Sequence, residues 1–326
     1  MSGRVLVTGG AGFIGSHVCD RFLEAGWAVE IIDDLSSGKR ENVDARARLH
    51  VVDIRSETAA ELIDRGRFDV LVHLAAQMDV RRSVADPLFD AGVNVLGTVN
   101  LLEAVRRSGH RPRFIFASTG GAIYGDLATP PNSETTQKNP DSPYAASKLA
   151  AEYYLGYYGR IHGLDTLSLR FANVYGPRQD PHGEAGVVAI FCGRMLADEA
   201  LTVFGDGTQT RDYVYVGDVA DAVVAAAKAS LPEVGAVDAR AFNIGTGVAT
   251  SVLDLASALF RATNKAPSID FAPRRPGEQQ DSSLHIDKAR ETLGWEPRMS
   301  LDQGLAETFT WFAARQSGEK TPAGAS

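Results

Sequence analysis

Apolar residues arrive in short runs along the first half of the chain, and each run gives way to small or polar residues and then to helical spacing. Val5-Leu6-Val7, Ala28-Val29-Glu30-Ile31-Ile32, Leu49-His50-Val51-Val52, Val70-Leu71-Val72-His73-Leu74 and Phe114-Ile115-Phe116 each have the length of one buried strand. Between them, helices are predicted from Phe13 onward, from near Ser56-Glu57, and over residues 87–108. In the last of these Val93, Leu96, Val99, Leu102 and Val105 form a stripe, while Val95 and Leu101 lie off it. That helix is therefore expected to be covered on more than one face. Repeated strand–helix units predict an open parallel sheet with helices on both faces and right-handed crossovers.

The second half is less regular. Residues 126–141 are polar and predict a loop, which ends at Ser142-Pro143, an N-cap followed by a first-turn proline. A helix should run from there to about Arg160. Beyond Arg170, residues 185–197 read as an apolar helix, Leu201 to Phe204 as a strand closed by the turn Gly205-Asp206-Gly207, and 212–216 as a strand returning to the main sheet. Residues 218–229 form an Ala/Val-rich helix, and the polar residues 317–326 a disordered tail.

Composition narrows the class. The chain has 326 residues, 44% hydrophobic and 23% charged, with a formal charge of −8. This suits a globular enzyme and not a nucleic-acid surface, which needs a basic patch. Cys19 and Cys192 sit in apolar helical contexts and read as buried thiols, with neither a disulfide nor a metal site expected. The first strand follows Met1-Ser2-Gly3 directly, and no apolar run is expected to approach membrane-spanning length, so the expected location is cytoplasmic, with no membrane partner.

Candidate chemistry begins at Thr8-Gly9-Gly10-Ala11-Gly12-Phe13-Ile14-Gly15, a glycine-rich turn between strand and helix. Gly9 permits the turn, Gly12 permits close approach of a pyrophosphate, Gly15 lets helix and strand pack, and the helix N-terminus faces the anion. Asp33 ends the second strand where a dinucleotide's ribose 2'-hydroxyl would lie. Its charge opposes a 2'-phosphate and points to NAD, while Lys39 and Arg40 leave NADP open. Asp53 either meets the adenine edge or caps the next helix. Leu74, Ala75 and Ala76 are small or apolar at a strand's carboxyl end, against which a cofactor can lie, and Asn94 is a polar interruption suited to supporting that site. His73 reads as a satisfied core histidine. Tyr144 and Lys148 lie four apart on one helical face. A phenol titrates near 10, and the ammonium together with a cationic nicotinamide would lower it toward neutral pH, making Tyr144 a general acid/base.

These pieces occur in a telling order. The glycine loop, Asp33, Asp53-Ile54, His73 to Ala76, Ser118-Thr119, Tyr144 to Lys148 and Arg170-Phe171-Ala172-Asn173-Val174-Tyr175-Gly176 are joined by Arg211-Asp212-Tyr213, Asn243 to Gly245 and Arg274 to Glu278. The chain resembles the extended short-chain dehydrogenase/reductases, and within them the UDP-glucose 4-epimerase-like nucleotide-sugar enzymes, from Arg4 to about Phe312. The resemblance implies an α/β fold: a Rossmann-type doubly wound parallel sheet with a smaller, discontinuous C-terminal α/β substrate domain. Residues 1–171 and about 212–243 would bind NAD, and 172–211 with about 244–316 the nucleotide sugar.

It also implies roles. Cofactor contacts would add Phe13, Ile14, Asp34, Ser37, Gly38, Ile54 and Phe171 to those above, with Ser118, Tyr144 and Lys148. The hydroxyl on the reacting sugar oxygen would be Thr119 or Ser118. Asn173, Val187, Arg211, Arg275, Glu278 and Ser282 would line the UDP-sugar, the arginines on the diphosphate. Dehydratases of the family carry an Asp-Glu pair after the threonine, where this chain has Gly120-Gly121. The implied reaction is 4-epimerisation of UDP-glucose and UDP-galactose through a 4-keto intermediate. Its alternatives are 4-epimerisation of UDP-N-acetylglucosamine or UDP-glucuronate, then dehydration or reduction, and, from another class, a non-catalytic NAD-binding scaffold. Small Ser282 leaves room for an N-acetyl group. A homodimer through the helices at 87–108 and 143–160 is implied as well.

Overall fold

A computed structural model describes residues 3–181, 186–266, 268–275 and 279–316. Glu278, the tail at 317–326 and the expected helix start at Ala185 lie outside the described residues.

Seven parallel strands form the central sheet: β1 (Arg4–Thr8), β2 (Ala28–Asp33), β3 (Arg48–Val51), β4 (Val70–His73), β5 (Arg113–Thr119), β6 (Thr166–Phe171) and β7 (Ala241–Ile244). Their spatial order is β7-β6-β5-β4-β1-β2-β3. The order reverses between β1 and β4, so the carboxyl ends of those strands open a crevice there. Strand alternation explains why both faces are covered. Val5, Val7, Val70, Val72 and Ile115 point into one layer with α1 (Phe13–Glu24), while Leu6, Leu71, Phe114 and Phe116 point into the other with α2 (Glu57–Gly66).

The predicted helix at 87–108 is a continuous Pro87–Arg107 helix, here α3, whose middle turn, Gly92–Leu96, is π-helical. By length and composition alone it could cross a membrane, contrary to the expectation that no run would. It instead packs against α2 and against α4 (Pro143–His162), and carries buried Asp90, Asn94 and Thr98. Ser142 caps α4 as expected, accepting from the Ala145 amide at 3.2 Å.

One strand assignment is corrected. Tyr213–Tyr215 does not return to the main sheet; it pairs in parallel with Asn173–Tyr175 in a separate two-stranded sheet. The edge beside β6 is taken by Ala241–Ile244, and the apolar alternation of Tyr213-Val214-Tyr215 suits either partner. The following α5 (Val187–Leu196) lies away from the main sheet, whereas α6 (Val216–Lys228) packs back on α1. A further core joins α5 to α7 (Val252–Thr263) and α8 (Leu301–Gln316) through Phe191, Met195, Leu255, Leu259, Leu305 and Phe312.

At the junction of α4 and β6 lies a fully buried ion pair. Arg170 Nη2 donates to Glu152 Oε2 at 2.6 Å, and neither side chain reaches solvent. Arg170 also reaches the partly exposed Asp238 at 2.8 Å, so removing Glu152 takes away its one fully buried anionic partner. Glu152→Ala is expected to lower unfolding free energy by about 3 kcal/mol, read from urea denaturation; a loss below about 1 kcal/mol would contradict this account.

Candidate active site

The glycine turn closes tightly where the crevice opens. Gly9 takes a left-handed φ of 73°, and a Cβ there would come within 2.7 Å of the Ala75 amide nitrogen. A Cβ at Gly15 would sit 2.0 Å from the Gly9 carbonyl oxygen, so that position admits no side chain. Among the described residues no side chain caps α1, so its first-turn amides at Phe13 and Ile14 could receive an anion. Asp33 is buried at the end of β2, its two oxygens accepting from the Ala11 and Leu35 amides, each at 2.9 Å. Burial raises its pKa against those hydrogen bonds. The chain at Asp34, Ser37 and Gly38 wraps over it: a Cβ on Gly38 would lie 2.5 Å from Asp33 Oδ1. These features fit a dinucleotide: close backbone, uncapped helix end, and a carboxylate retaining lone pairs. Lys39 leans toward Asp180, at 3.9 Å.

Asp53 is not the cap of the next helix, which leaves its reading at the adenine edge. It is held by Arg55, at 2.6 Å, and accepts the Arg55 amide, while Ser56 caps α2. Beside it Ile54 is buried against Gly97. After β4, Leu74, Ala75 and Ala76 are half-buried, with Ala75 N–H donating to Thr8 Oγ1. His73 is the satisfied core histidine expected, bonded to Thr8 and Thr98, and burial holds its pKa down to about 3. Asn94 braces the next residue of that loop, accepting from the Gln77 amide and donating to its carbonyl.

Facing this loop, β5 ends in buried Ser118 and half-buried Thr119, and Ser118 Oγ has no hydrogen-bond partner among the described residues. Gly120 and Gly121 follow, both amides donating to the carbonyl of buried Phe171. Lys148 comes from α4, and its ammonium donates to the Ala117 carbonyl at 3.0 Å, 5.9 Å from the Tyr144 ring centroid. The fold thus brings Ser118, Thr119, Tyr144 and Lys148 to one end of β5. The electrostatics differ from the simple expectation. Burial lowers Lys148 to about 8, opposed by Asp90 and Glu152. Burial, reinforced by Asp90, pushes the Tyr144 phenol up instead of down. In the protein alone desolvation outweighs the neighbouring ammonium, so a phenolate needs a further positive charge.

On the opposite wall, Asn173 is exposed with Oδ1 facing Gly121, and Val187 opens α5. Arg211 is committed to backbone, donating to the carbonyls of Thr210 at 2.7 Å and Gln279 at 2.8 Å. Exposed Arg275 lies over the Phe204 ring, 3.7 Å from its centroid. Near it a cavity of about 380 Å³ is lined by Phe204, Asp206, Gln209, Arg274 and Gln279. Ser282 is buried, its amide donating to the Thr210 carbonyl. A larger cavity of about 520 Å³, between Lys39, Arg178, Arg194 and Trp311, contains none of the candidate residues. Sequence reasoning overlooked Asp90 and Gln77, which are buried beneath the Tyr144 helix; the Asp90/Asn94 spacing within an apolar stripe was the available signal.

Known proteins share this arrangement over nearly the whole chain. The profile of the NAD dependent epimerase/dehydratase family matches residues 5–245. A UDP-glucose 4-epimerase of Mycolicibacterium smegmatis is 46% identical over 95% of this chain and 98% of its own length. The crystal structure of a UDP-glucose 4-epimerase from Thermotoga maritima with UDP-glucose superimposes with a TM-score of 0.89 at 46% identity, covering 97% of this chain and 100% of the other. That of Thermus thermophilus UDP-glucose 4-epimerase with NAD gives 0.86 at 45%, covering 95% and 98%.

Lys148 carries a stability cost with a definite pH signature. Its folded pKa, about 8, lies below the ordinary lysine value of 10.5, so folding penalises the charged form. The penalty is fully present below pH 8 and disappears as pH rises to 10.5. Lys148→Met should be more stable than the parent at pH 7, by about 2–3 kcal/mol. It should also lack the parent's gain in stability across that window, both read from urea unfolding at several pH values.

Proposed function

The chain belongs to the NAD dependent epimerase/dehydratase family, and from that premise we propose that it is an NAD-dependent UDP-glucose 4-epimerase, interconverting UDP-glucose and UDP-galactose. One observation carries the choice of reaction: the hydroxyls that end β5 are followed by Gly120 and Gly121, which add no acid or base of their own to the Tyr144/Lys148 pair. A single proton-transfer group suits oxidation at one carbon and its reversal. It does not suit elimination across two carbons.

NAD is the cofactor: Gly9, Gly12 and the start of α1 would hold its pyrophosphate and Asp33 its ribose, and when bound it accepts and returns a hydride at C4'. Tyr144 takes the proton of the 4'-hydroxyl and later returns it. Thr119, with Ser118 beside it, hydrogen-bonds the same oxygen and orients it. Lys148 holds positive charge near the phenol, favouring its ionised form. Asn173, Val187 and Arg275 would contact the nucleotide sugar, and Arg211 would support that wall through the 279–280 backbone. Residues 1–171 and about 212–243 serve as the NAD-binding part, and 172–211 with about 244–316 as the sugar-nucleotide part. A second reading, an N-acetylated UDP-sugar, is favoured by buried, small Ser282.

Two helices also support a homodimer. Leu88 and Leu96 on α3, and Tyr153, Tyr154, Tyr157 and Ile161 on α4, are exposed apolar side chains on neighbouring helices. Light scattering is expected to give twice the chain mass; a monomer at micromolar concentration would contradict this.

With UDP-glucose and no added cofactor, proton NMR of the purified protein should show the anomeric signal of UDP-galactose growing to equilibrium. Tyr144→Phe should remain folded and lose on the order of 10³-fold in rate, whereas near-parental turnover would remove Tyr144 from its role. Turnover of UDP-N-acetylglucosamine but not of UDP-glucose would transfer the assignment to the second reading.

A further inference from the structure

Directly below the Tyr144 helix lies a charge that the mechanism above does not use. Asp90 is fully buried in the last α-helical turn before the π-helical segment of α3. Its Oδ2 accepts from Ser147 Oγ at 2.6 Å, and its Oδ1 accepts from Gln77 Nε2 and Asn94 Nδ2, each at 3.0 Å. The orientation of both amides is set by backbone: Asn94 Oδ1 accepts the Gln77 amide and Gln77 Oε1 accepts the Asp79 amide. Their nitrogens must therefore face Asp90. Two donor-only amide nitrogens meet on Oδ1 and the Ser147 hydroxyl meets Oδ2, so both oxygens are engaged and Oδ1 acts purely as an acceptor. Among the described residues no Lys, Arg or His lies within ion-pair distance of it.

We propose that Asp90 is a positioning residue, the fixed buried anion that sets the charge balance of the Tyr144/Lys148 pair from beneath while tying the loop after β4 to the helix that carries them. The inference rests on the reading of Tyr144 and Lys148 as the proton-transfer pair. Ser147 lies between those two residues in sequence, so its bond to Asp90 fixes their helix against α3. Gln77 follows Ala76 directly, so the same carboxylate sits behind the predicted cofactor loop. The field of Asp90 opposes ionisation of Tyr144 and favours the ammonium of Lys148. The other groups facing the pair do not replace it. Glu152, one turn beyond Lys148, is neutralised by Arg170 of β6; His73 of β4 is held neutral; β5 presents the Phe116 ring and the Ala117 carbonyl. Asp90 is, among the described residues, the buried anion facing the pair that no arginine neutralises.

The test titrates the Tyr144 phenol spectroscopically in the NAD-loaded protein, as the phenolate absorbance difference between each chain and its Tyr144→Phe counterpart, which does not depend on turnover. Asp90→Asn should move the Tyr144 step to lower pH by about one unit or more. Ser147→Ala, which removes a hydrogen bond and keeps the carboxylate, should leave it within about a third of a unit. The acid limb of the epimerisation rate should follow the phenol. A step unmoved in Asp90→Asn, or moved equally in Ser147→Ala, overturns the proposal. Should Asp90→Asn not fold, carbon-13 NMR of aspartate carboxyl groups in the parent decides: Asp90 must stay ionised between pH 5 and 9, and a protonated Asp90 at pH 7 overturns it. If Tyr144→Phe instead turns over normally, the proton-transfer reading fails while the titration still measures the field of Asp90.

Discussion

Arg170 is the hub on which the working end of the sheet depends. Its guanidinium is wholly inaccessible, and four groups from three structural units meet on it: Glu152 of the Tyr144 helix, the Tyr124 hydroxyl and Glu134 carbonyl of the loop after β5, and Asp238 beside β7. Tyr124 passes the contact on to Asn243, whose amide donates to Glu134 Oε1. Apolar residues of similar volume could fill the same space at no loss of stability, because burying charge is costly. They could not specify direction. A planar fork with five donors fixes helix, loop and strand relative to one another, and so fixes Ser118 and Thr119 against Tyr144 and Lys148.

That frame holds a site that is locally unfavourable. Lys148 is buried with a depressed pKa, Ser118 Oγ lacks a partner among the described residues, and α3 breaks into a π-turn beneath the crevice. Each departs from what packing alone would select, and π-turns recur at functional positions for this reason. The departures cluster at the carboxyl ends of β4 and β5, not across the sheet, where Leu6, Leu71, Phe114 and Leu169 are fully packed. Stability is concentrated in the sheet, and the strained groups occupy its edge.

Which features were legible in the sequence follows from whether local chemistry or distant partners decide them. The glycine turn, Asp33, the Ser142-Pro143 helix start and the Tyr144/Lys148 spacing are local, and the structure has each of these elements where expected. The place of Tyr213–Tyr215 was not legible, because its alternation is equally satisfied at β6 or beside Asn173–Tyr175, and β7 decides the matter by occupying the first. Asp53 was ambiguous for a different reason: Arg55 two residues on captures the carboxylate, and Ser56 is then the cap. The loop at 126–141 read as mere connection, yet Asn132 and Glu134 within it are buried partners of Asn243, a relation spanning more than a hundred residues. Asp90 gave only a faint sign of burial, its spacing to Asn94 within an apolar stripe, since the π-turn and the approach of α4 are what enclose it.

The same long-range burial explains how the site would discriminate between states of its ligand. Desolvation and Asp90 both hold Tyr144 protonated, and Lys148, itself held down to about 8 by burial, does not reverse that balance alone. The phenol would give up its proton more readily with a further positive charge in the low-dielectric crevice, and would regain it once that charge is neutralised. A reversible oxidation needs this alternation. Base strength should be greatest while the cofactor ring is cationic, and proton return should be favoured once it has accepted hydride. A solvent-exposed Tyr-Lys pair, screened by water, would respond only weakly to such a change. Burial of the pair is therefore what would couple proton transfer to the charge of a ligand bound beside it.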